Sequence, residues 1–255
     1  TTTRITATNR SMPASYLGFF DEIRKLFSLA TGRNEGLFSF NSEGACPVCR
    51  GKGVVVTELA FMDPVITPCE ACNQTRYNEK ALAAKLQGKS IVDVLQMSAE
   101  EALVFFNKIA KSGISGSGVL RCASKICSVL QRMIDCGLPY LELGQPLSTL
   151  SGGERQRVKL AKHLGKKGNI YILDEPTTGL HISDTEKLLA LFDRIVDKGN
   201  TVIIIEHDLN VARHADWIID VGPDGGKNGG QIVFEGTPCQ MRNFANTITA
   251  QWMRR

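Results

Sequence analysis

Residues 150–157 read Leu-Ser-Gly-Gly-Glu-Arg-Gln-Arg, and residues 170–176 read Ile-Tyr-Ile-Leu-Asp-Glu-Pro. The first stretch predicts a helix start, with Ser151 as its N-cap and Glu154 completing a capping box. The amides of such a start form an anion site, although an ordinary capped helix carries the same pattern. The second stretch is an apolar strand that ends in two carboxylates, and open α/β sheets place their ligands at this edge. Together the two stretches predict a site that handles phosphate groups.

The two carboxylates after this strand divide the work of phosphoryl transfer. Asp174 fits the role of holding Mg²⁺, and Glu175 fits the role of the base that activates water. A second apolar strand, 202–205, leads into Glu206-His207-Asp208. If the two strands are parallel, His207 reaches the same edge and is placed to hydrogen-bond a terminal phosphate.

The pattern after Gly144 differs from the pattern before it. Short apolar segments alternate there with helices, which predicts an α/β fold with a parallel sheet. The expected strands are Ile170–Leu173, Thr201–Ile205, Trp217–Val221 and Gln231–Glu235. We therefore predict two domains, 1–143 and 144–255.

The first predicted domain is mostly helical. Helical spacing of apolar residues predicts a helix over Ser15–Leu29, with Pro13 in its first turn. A second helical pattern runs from Asn78 to about Gly137, and a Gly/Ser stretch, Ser112–Gly118, interrupts it as an expected flexible joint.

The order of these motifs resembles a known family. Leu-Ser-Gly-Gly-Glu, then Asp-Glu-Pro-Thr-Thr-Gly-Leu-His at 174–181, then Ile-Glu-His-Asp at 205–208 resembles the ABC-type ATPases, with their signature loop, Walker B strand, D-loop and switch histidine. Ala-Asp-Trp-Ile-Ile-Asp-Val-Gly-Pro at 215–223, with the glycine-rich loop after it, most resembles the UvrA branch, the damage-sensing subunits of bacterial nucleotide-excision repair. The resemblance implies that ATP and Mg²⁺ are bound by Ser151, Gly152, Gly153 and Asp174, and that Glu175 and His207 are catalytic.

The sequence has no P-loop, the Gly-x-x-x-x-Gly-Lys-Ser/Thr segment that cradles phosphates. The nearest candidate, Gly88-Lys89-Ser90, has Ala83 at the first glycine position and follows a helix-like stretch. We therefore expect that the chain does not bind ATP alone in the usual way. The resemblance implies that the chain is the C-terminal part of the second ATPase half, with the P-loop elsewhere in the same protein.

Four of the eight cysteines form two pairs, Cys46-x-x-Cys49 and Cys69-x-x-Cys72. Without a secretory signal, this spacing predicts a tetrahedral zinc site in a reducing cytoplasm and disfavours a disulfide framework. The extended segments between the pairs predict a zinc-held hairpin. Gly51 and Gly53 free the backbone to point amides at the thiolates, whereas the second pair is followed by Asn-Gln-Thr at 73–75.

The composition limits which classes of partner can be expected. Charged residues make up 22% and hydrophobic residues 43% of the 255, and no apolar run approaches the ~18 residues of a membrane helix. We expect a soluble, cytoplasmic protein with no membrane partner. A net charge of +4 is too mild to indicate nucleic acid by itself.

The expectation of nucleic-acid binding rests on the family resemblance and not on composition. Arg-Ser-Met-Pro-Ala-Ser-Tyr at 10–16 is similar to the start of this segment in the UvrA branch and implies a DNA contact by Arg10. Arg24 and Lys25 are further candidates because of their place on the predicted helix. The implied partners are double-stranded DNA, the P-loop-bearing remainder of the protein, UvrB-like excision-repair subunits and a second copy of the parent.

Three functions remain open. The first is a fragment of an ATP-dependent protein that recognises DNA damage, with hydrolysis coupled to DNA binding. The second is a zinc-containing nucleic-acid-binding module without activity of its own, which the missing P-loop favours for the isolated chain. The third is a UvrA-like paralogue that protects against a DNA-binding antibiotic.

Overall fold

The computed structural model describes residues 11–59, 62–111, 117–164, 168, 170–223 and 229–254. The chain divides into two compact units, Thr1–Leu164 and Gly165–Arg255. This division falls after residues 150–157, the stretch that resembles the signature loop. The domain boundary that the sequence predicts at 143/144 stays a prediction. The expected joint lies mostly outside the described residues, which resume at Ser117.

Helices make up most of the first unit. They are α1 (Pro13–Tyr16), α2 (Phe20–Thr31), α3 (Glu79–Ala83), α4 (Ile91–Leu95), α5 (Ala99–Lys111), α6 (Ser117–Asp135) and α7 (Gly152–His163). Helix α6 packs against α2, α5 and α7, which explains why the signature helix α7 belongs to this unit. Phe27, Phe106 and Ile126 are fully buried in its core.

The helix predicted over Ser15–Leu29 is wrong as a single element. Gly18 has φ +81° and separates α1 from α2. Glycine adopts this left-handed conformation without the steric penalty of a Cβ, so the chain turns there. Pro13 begins α1, as its fixed φ predicts.

The predicted hairpin is confirmed. Strands β1 (Val54–Leu59) and β2 (Met62–Pro68) are antiparallel, with Val54 opposite Pro68 and Val56 opposite Ile66.

Aromatic contacts join the base of this hairpin to the helices. The Phe40 ring stacks on Phe20 at 5.7 Å between ring centroids and meets the Tyr77 ring edge-on at 6.0 Å. The buried Tyr77 hydroxyl donates a hydrogen bond to the Phe38 carbonyl at 3.1 Å. These contacts fix the hairpin base to α2.

The second unit contains the remaining strands and helices. They are β3 (Ile170–Asp174), α8 (Ile182–Asp197), β4 (Thr201–Ile205), α9 (Leu209–His214), β5 (Ile218–Gly222), β6 (Gln231–Gly236), α10 (Pro238–Phe244) and α11 (Ile248–Met253). Strands β3 and β4 are parallel, with Ile170 opposite Thr201 and Asp174 opposite Ile205. Leu173, Leu188 and Phe192 are buried.

The predicted parallel arrangement holds for β3 and β4 but is wrong for β5 and β6, which form a separate antiparallel pair. Only residues 223–230 join them. A parallel crossover needs about a dozen residues or more, so this connection permits only an antiparallel hairpin.

Among the described residues, none of the helices combines the length and apolar content needed to cross a lipid bilayer.

Candidate nucleotide and zinc sites

The signature helix begins with the predicted capping box. The Ser151 hydroxyl oxygen accepts a hydrogen bond from the Glu154 amide at 3.2 Å, and Glu154 Oε2 accepts one from the Ser151 amide at 2.8 Å. A serine hydroxyl that accepts one bond still has its hydrogen to donate. Ser151 and Gly152 are exposed and Gly153 is buried, so the start of α7 faces solvent with a hydroxyl and helix-terminal amides.

Two residues that sequence reasoning missed hold this helix start. The Tyr140 hydroxyl donates to Glu154 Oε1 at 2.8 Å, and Arg157, only 1% exposed, also hydrogen-bonds Tyr140. Burial alone would raise the pKa of Glu154, but the bonds from Ser151 and Tyr140 outweigh it and lower that pKa. The carboxylate is therefore ionised near neutral pH and ties α7 to the segment before it.

Glu175 follows β3 in an unusual backbone conformation. Its amide extends the ladder by donating to the Ile205 carbonyl at 2.8 Å, and its φ is +47°. A residue other than glycine in this left-handed region is strained, and such residues concentrate at functional sites.

The structure brings Glu175 and His207 together at the end of the two parallel strands. His207 Nδ1 lies 3.8 Å from Glu175 Oε1, and the two side chains are 79% and 55% exposed. The Thr178 hydroxyl donates to Glu175 Oε2 at 3.2 Å. Asp174, exposed at the end of β3, completes the group. These three residues lie in the second unit, whereas Ser151, Gly152 and Gly153 lie in the first.

Glu206 is a further site residue that the sequence did not single out. Its side chain is 5% exposed, and its Oε1 accepts hydrogen bonds from the amide and the hydroxyl of Thr177. Burial opposes ionisation, but the Thr177 bonds and the amides of His207 and Asp208 lower the pKa of Glu206. In the sequence it is one member of a charged triplet, and only the fold distinguishes it.

The four paired cysteines lie together and are buried. Their Sγ atoms are all within 4.8 Å of one another, with Cys46–Cys69 at 4.0 Å and Cys49–Cys72 at 3.7 Å. Sulfurs at about 2.3 Å from a tetrahedral zinc are about 3.8 Å apart, whereas a disulfide holds them near 2.05 Å. All four thiols are free. The donor set therefore fits a closed, structural Cys₄ zinc site.

The two cysteine pairs have the same backbone turn although only the first contains glycine. Positive φ occurs one, two and four residues after the second cysteine of each pair, at Arg50, Gly51 and Gly53 and at Asn73, Gln74 and Arg76. In both turns the amide four residues on bonds to the sulfur; the Gly53 amide does so at 3.3 Å. Burial would raise the pKa of Cys49, but this amide and the neighbouring thiols lower it, whereas burial and the same neighbouring thiols raise the pKa of Cys72. A thiol lowered in this way is readily available as a thiolate ligand.

The candidate DNA contacts differ in their surroundings. Arg10 lies outside the described residues. Arg24 pairs with Asp21 at 3.0 Å and Glu35 at 3.1 Å, and its side chain is only 24% exposed. Lys25 is exposed. The helical pattern did not predict the pairing with Glu35, because this residue lies beyond the end of α2.

Comparison with known proteins agrees with these motifs. A family model described as ABC transporter matches residues 70–178. UvrABC system protein A of Thermus thermophilus is 51% identical over 240 residues, and that of Aquifex aeolicus is 46% identical over 257. The alignments cover 91% and 97% of this chain but 24% and 26% of those proteins.

A solved structure matches as well. The crystal structure of UvrA2 from Deinococcus radiodurans superposes with a TM-score of 0.83 at 43% identity, over 99% of this chain and 30% of that one. The chain thus spans about a quarter of the length of the curated relatives that it matches. It belongs to the family of UvrABC system protein A and corresponds to one segment of those longer proteins.

Proposed function

We propose that this chain is the part of an ABC-type ATPase domain that runs from the signature to the switch histidine, in an ATP-dependent protein that recognises DNA damage during nucleotide-excision repair. The pairing of Glu175 and His207 at the end of β3 and β4 carries the proposal. The similarity to UvrABC system protein A at 45–51% identity supports it.

Each residue at the strand ends has a chemical task in ATP hydrolysis. Glu175 accepts the proton of the attacking water, and His207 donates a hydrogen bond to the terminal phosphate. Asp174 holds Mg²⁺, which when bound neutralises phosphate charge. Thr178 orients the Glu175 carboxylate through its hydroxyl.

The signature residues serve a phosphate at a helix start. The Ser151 hydroxyl and the Gly152 and Gly153 amides bind the γ-phosphate, where the helix dipole also favours negative charge. The 255 residues contain no P-loop motif. Both groups of residues therefore act on ATP whose phosphate cradle lies elsewhere in the protein.

The zinc-bearing hairpin couples this chemistry to DNA. A Cys₄ zinc stabilises the turns at both cysteine pairs, and the aromatic contacts of Phe40 join the hairpin to α2. Exposed Lys25, Lys52 and Lys80 supply positive charge on the first unit.

The test is Glu175→Gln in the full-length protein. Loss of a general base lowers ATP turnover by ~10²–10⁴-fold while ATP binding remains. Glu186→Gln is the matched control, because Glu186 is an exposed glutamate on α8, and this variant keeps wild-type turnover. Unchanged turnover in Glu175→Gln refutes the assignment.

A further inference from the structure

Glu206 has a buried carboxylate at the point where the parallel ladder ends. The last pair of β3 and β4 is Asp174 with Ile205, and the Glu175 amide makes one further bond to Ile205. Glu206 comes next, with its side chain 5% exposed. A buried charge is costly unless hydrogen bonds compensate it, so its partners indicate what the position requires.

Both carboxylate oxygens of Glu206 have partners on the two loops that follow the strands. Oε1 accepts from the Thr177 amide at 3.0 Å and from the Thr177 hydroxyl. Oε2 accepts from the His207 amide at 3.1 Å. One side chain thus connects the turn after β3 to the segment after β4 beyond the last ladder bond.

The first connected residue is close in sequence to one member of the proposed catalytic pair, and the second belongs to that pair. Thr177 is two residues after Glu175, in the turn that the Thr178 amide closes on the Glu175 carbonyl at 3.2 Å. The other partner is the backbone of His207 itself. A shift of either loop changes the 3.8 Å separation of Glu175 Oε1 and His207 Nδ1.

We propose that Glu206 is a positioning residue that sets the separation of Glu175 and His207, a role that rests on the proposed function of that pair. Its carboxylate accepts charge-assisted hydrogen bonds, which are stronger than those of a neutral amide. Glutamine has nearly the same volume but presents one NH₂ donor to groups that are themselves donors. Glu206→Gln therefore weakens the hydrogen bonds that Glu206 accepts from Thr177 and His207, without opening a cavity.

The experiment uses the full-length protein and measures kcat and KM for ATP. Misplacement of reacting groups by about 1 Å costs up to ~10²-fold in rate, so Glu206→Gln lowers kcat by about 10–100-fold with little change in KM. Glu206→Asp keeps the charge and recovers part of kcat. Thr177→Val, which removes only the hydroxyl donor, lowers kcat, whereas Thr177→Ser does not.

The control is Glu235→Gln, because Glu235 is an exposed glutamate on β6, and it keeps wild-type kcat. Melting temperatures are measured for every variant. Wild-type kcat in Glu206→Gln overturns the inference, as does a loss of kcat that only parallels a lower melting temperature and that Glu206→Asp does not recover.

Glu175→Gln separates this inference from the proposed function. If Glu175→Gln keeps wild-type turnover, the proposed function itself fails. If Glu175→Gln abolishes turnover and Glu206→Gln has wild-type kcat, only the positioning role of Glu206 fails.

Discussion

The Tyr140 hydroxyl donates a hydrogen bond to one carboxylate oxygen of Glu154 at 2.8 Å, and the other oxygen accepts a hydrogen bond from the Ser151 amide. The carboxylate therefore caps its own helix and also joins it to the segment that precedes the signature. The start of α7 is therefore fixed from outside the helix.

Tyr140→Phe removes this link while keeping the ring. We expect a loss of about 0.5–1.5 kcal/mol in the free energy of unfolding, because one partly exposed hydrogen bond is lost. Amide hydrogen exchange becomes faster at Ser151, Glu154 and Arg155, whose amides are hydrogen-bonded at this cap. Tyr16→Phe is the control, since Tyr16 lies beside Lys162 near the other end of α7. Equal exchange rates in wild type and Tyr140→Phe would show that Glu154 caps the helix unaided.

Cys69→Ser tests the metal site. The variant has well under one zinc per chain, because a serine hydroxyl does not replace the thiolate that closes the tetrahedral site. Limited proteolysis then cuts within residues 46–77. Cys239→Ser, at an exposed cysteine outside the cluster, retains one zinc per chain. Full zinc content in Cys69→Ser contradicts a four-thiolate site.

Gly51 has a steric reason to be glycine that its counterpart Gln74 lacks. A Cβ on Gly51 would lie 1.7 Å from the Phe40 carbonyl oxygen, and φ is +75°. Gly51→Ala therefore adds a clash to about 1–3 kcal/mol of backbone strain and weakens zinc retention against a chelator. Gly32→Ala is the matched control, with φ +68° and open space around its Cβ. If both variants retain zinc equally, the clash is relieved by movement of the backbone.

The sequence predicts the local parts of the site but not the contacts between them. The capping box joins Ser151 and Glu154, which are three residues apart, so its pattern is visible in the sequence. The Thr177–Glu206 bond joins residues 29 apart, and the Tyr140–Glu154 bond joins residues 14 apart. Such contacts depend on how the chain folds back, which periodicity does not encode.

Two fold predictions failed for related reasons. The spacing of apolar residues continues across Gly18, so it conceals the break between α1 and α2. The apolar pattern of a strand does not show whether it runs parallel or antiparallel to its partner. The antiparallel pairing of β5 and β6 follows instead from the short connection between them.

Acid weakens the first unit through its capping boxes. Amide hydrogen bonds lower the pKa of Asp93 and Glu101, and for Glu154 the same bond outweighs the opposing effect of burial. A carboxyl with a lowered folded-state pKa binds more protons when unfolded, so its contribution is present above the unfolded pKa and is lost as pH falls.

Melting temperatures measured from pH 7 to pH 3 check this expectation. The melting temperatures decrease once the pH is below about 5, because the pH then approaches the ordinary pKa values of the carboxyl groups. Asp93→Asn lowers the melting temperature at neutral pH and makes this decline shallower, whereas Glu186→Gln, at an exposed position inside α8, leaves both unchanged. An identical pH dependence in wild type and Asp93→Asn would contradict a contribution from this cap.

Arg24 and Lys25 are neighbours in sequence, but we expect their substitution to affect DNA binding differently. The Arg24 guanidinium pairs with Asp21 and Glu35 and lies over the Phe20 ring, so it already has partners within the protein. In the full-length protein, Arg24→Ala lowers the melting temperature through lost packing and pairing and leaves the salt dependence of duplex binding unchanged. Lys25→Ala keeps the melting temperature and, because a phosphate contact is lost, reduces the slope of log K against log salt concentration by about 0.9. The reverse result, a smaller slope in Arg24→Ala at an unchanged melting temperature, would mean that DNA displaces both carboxylates and that Arg24 contacts the phosphate.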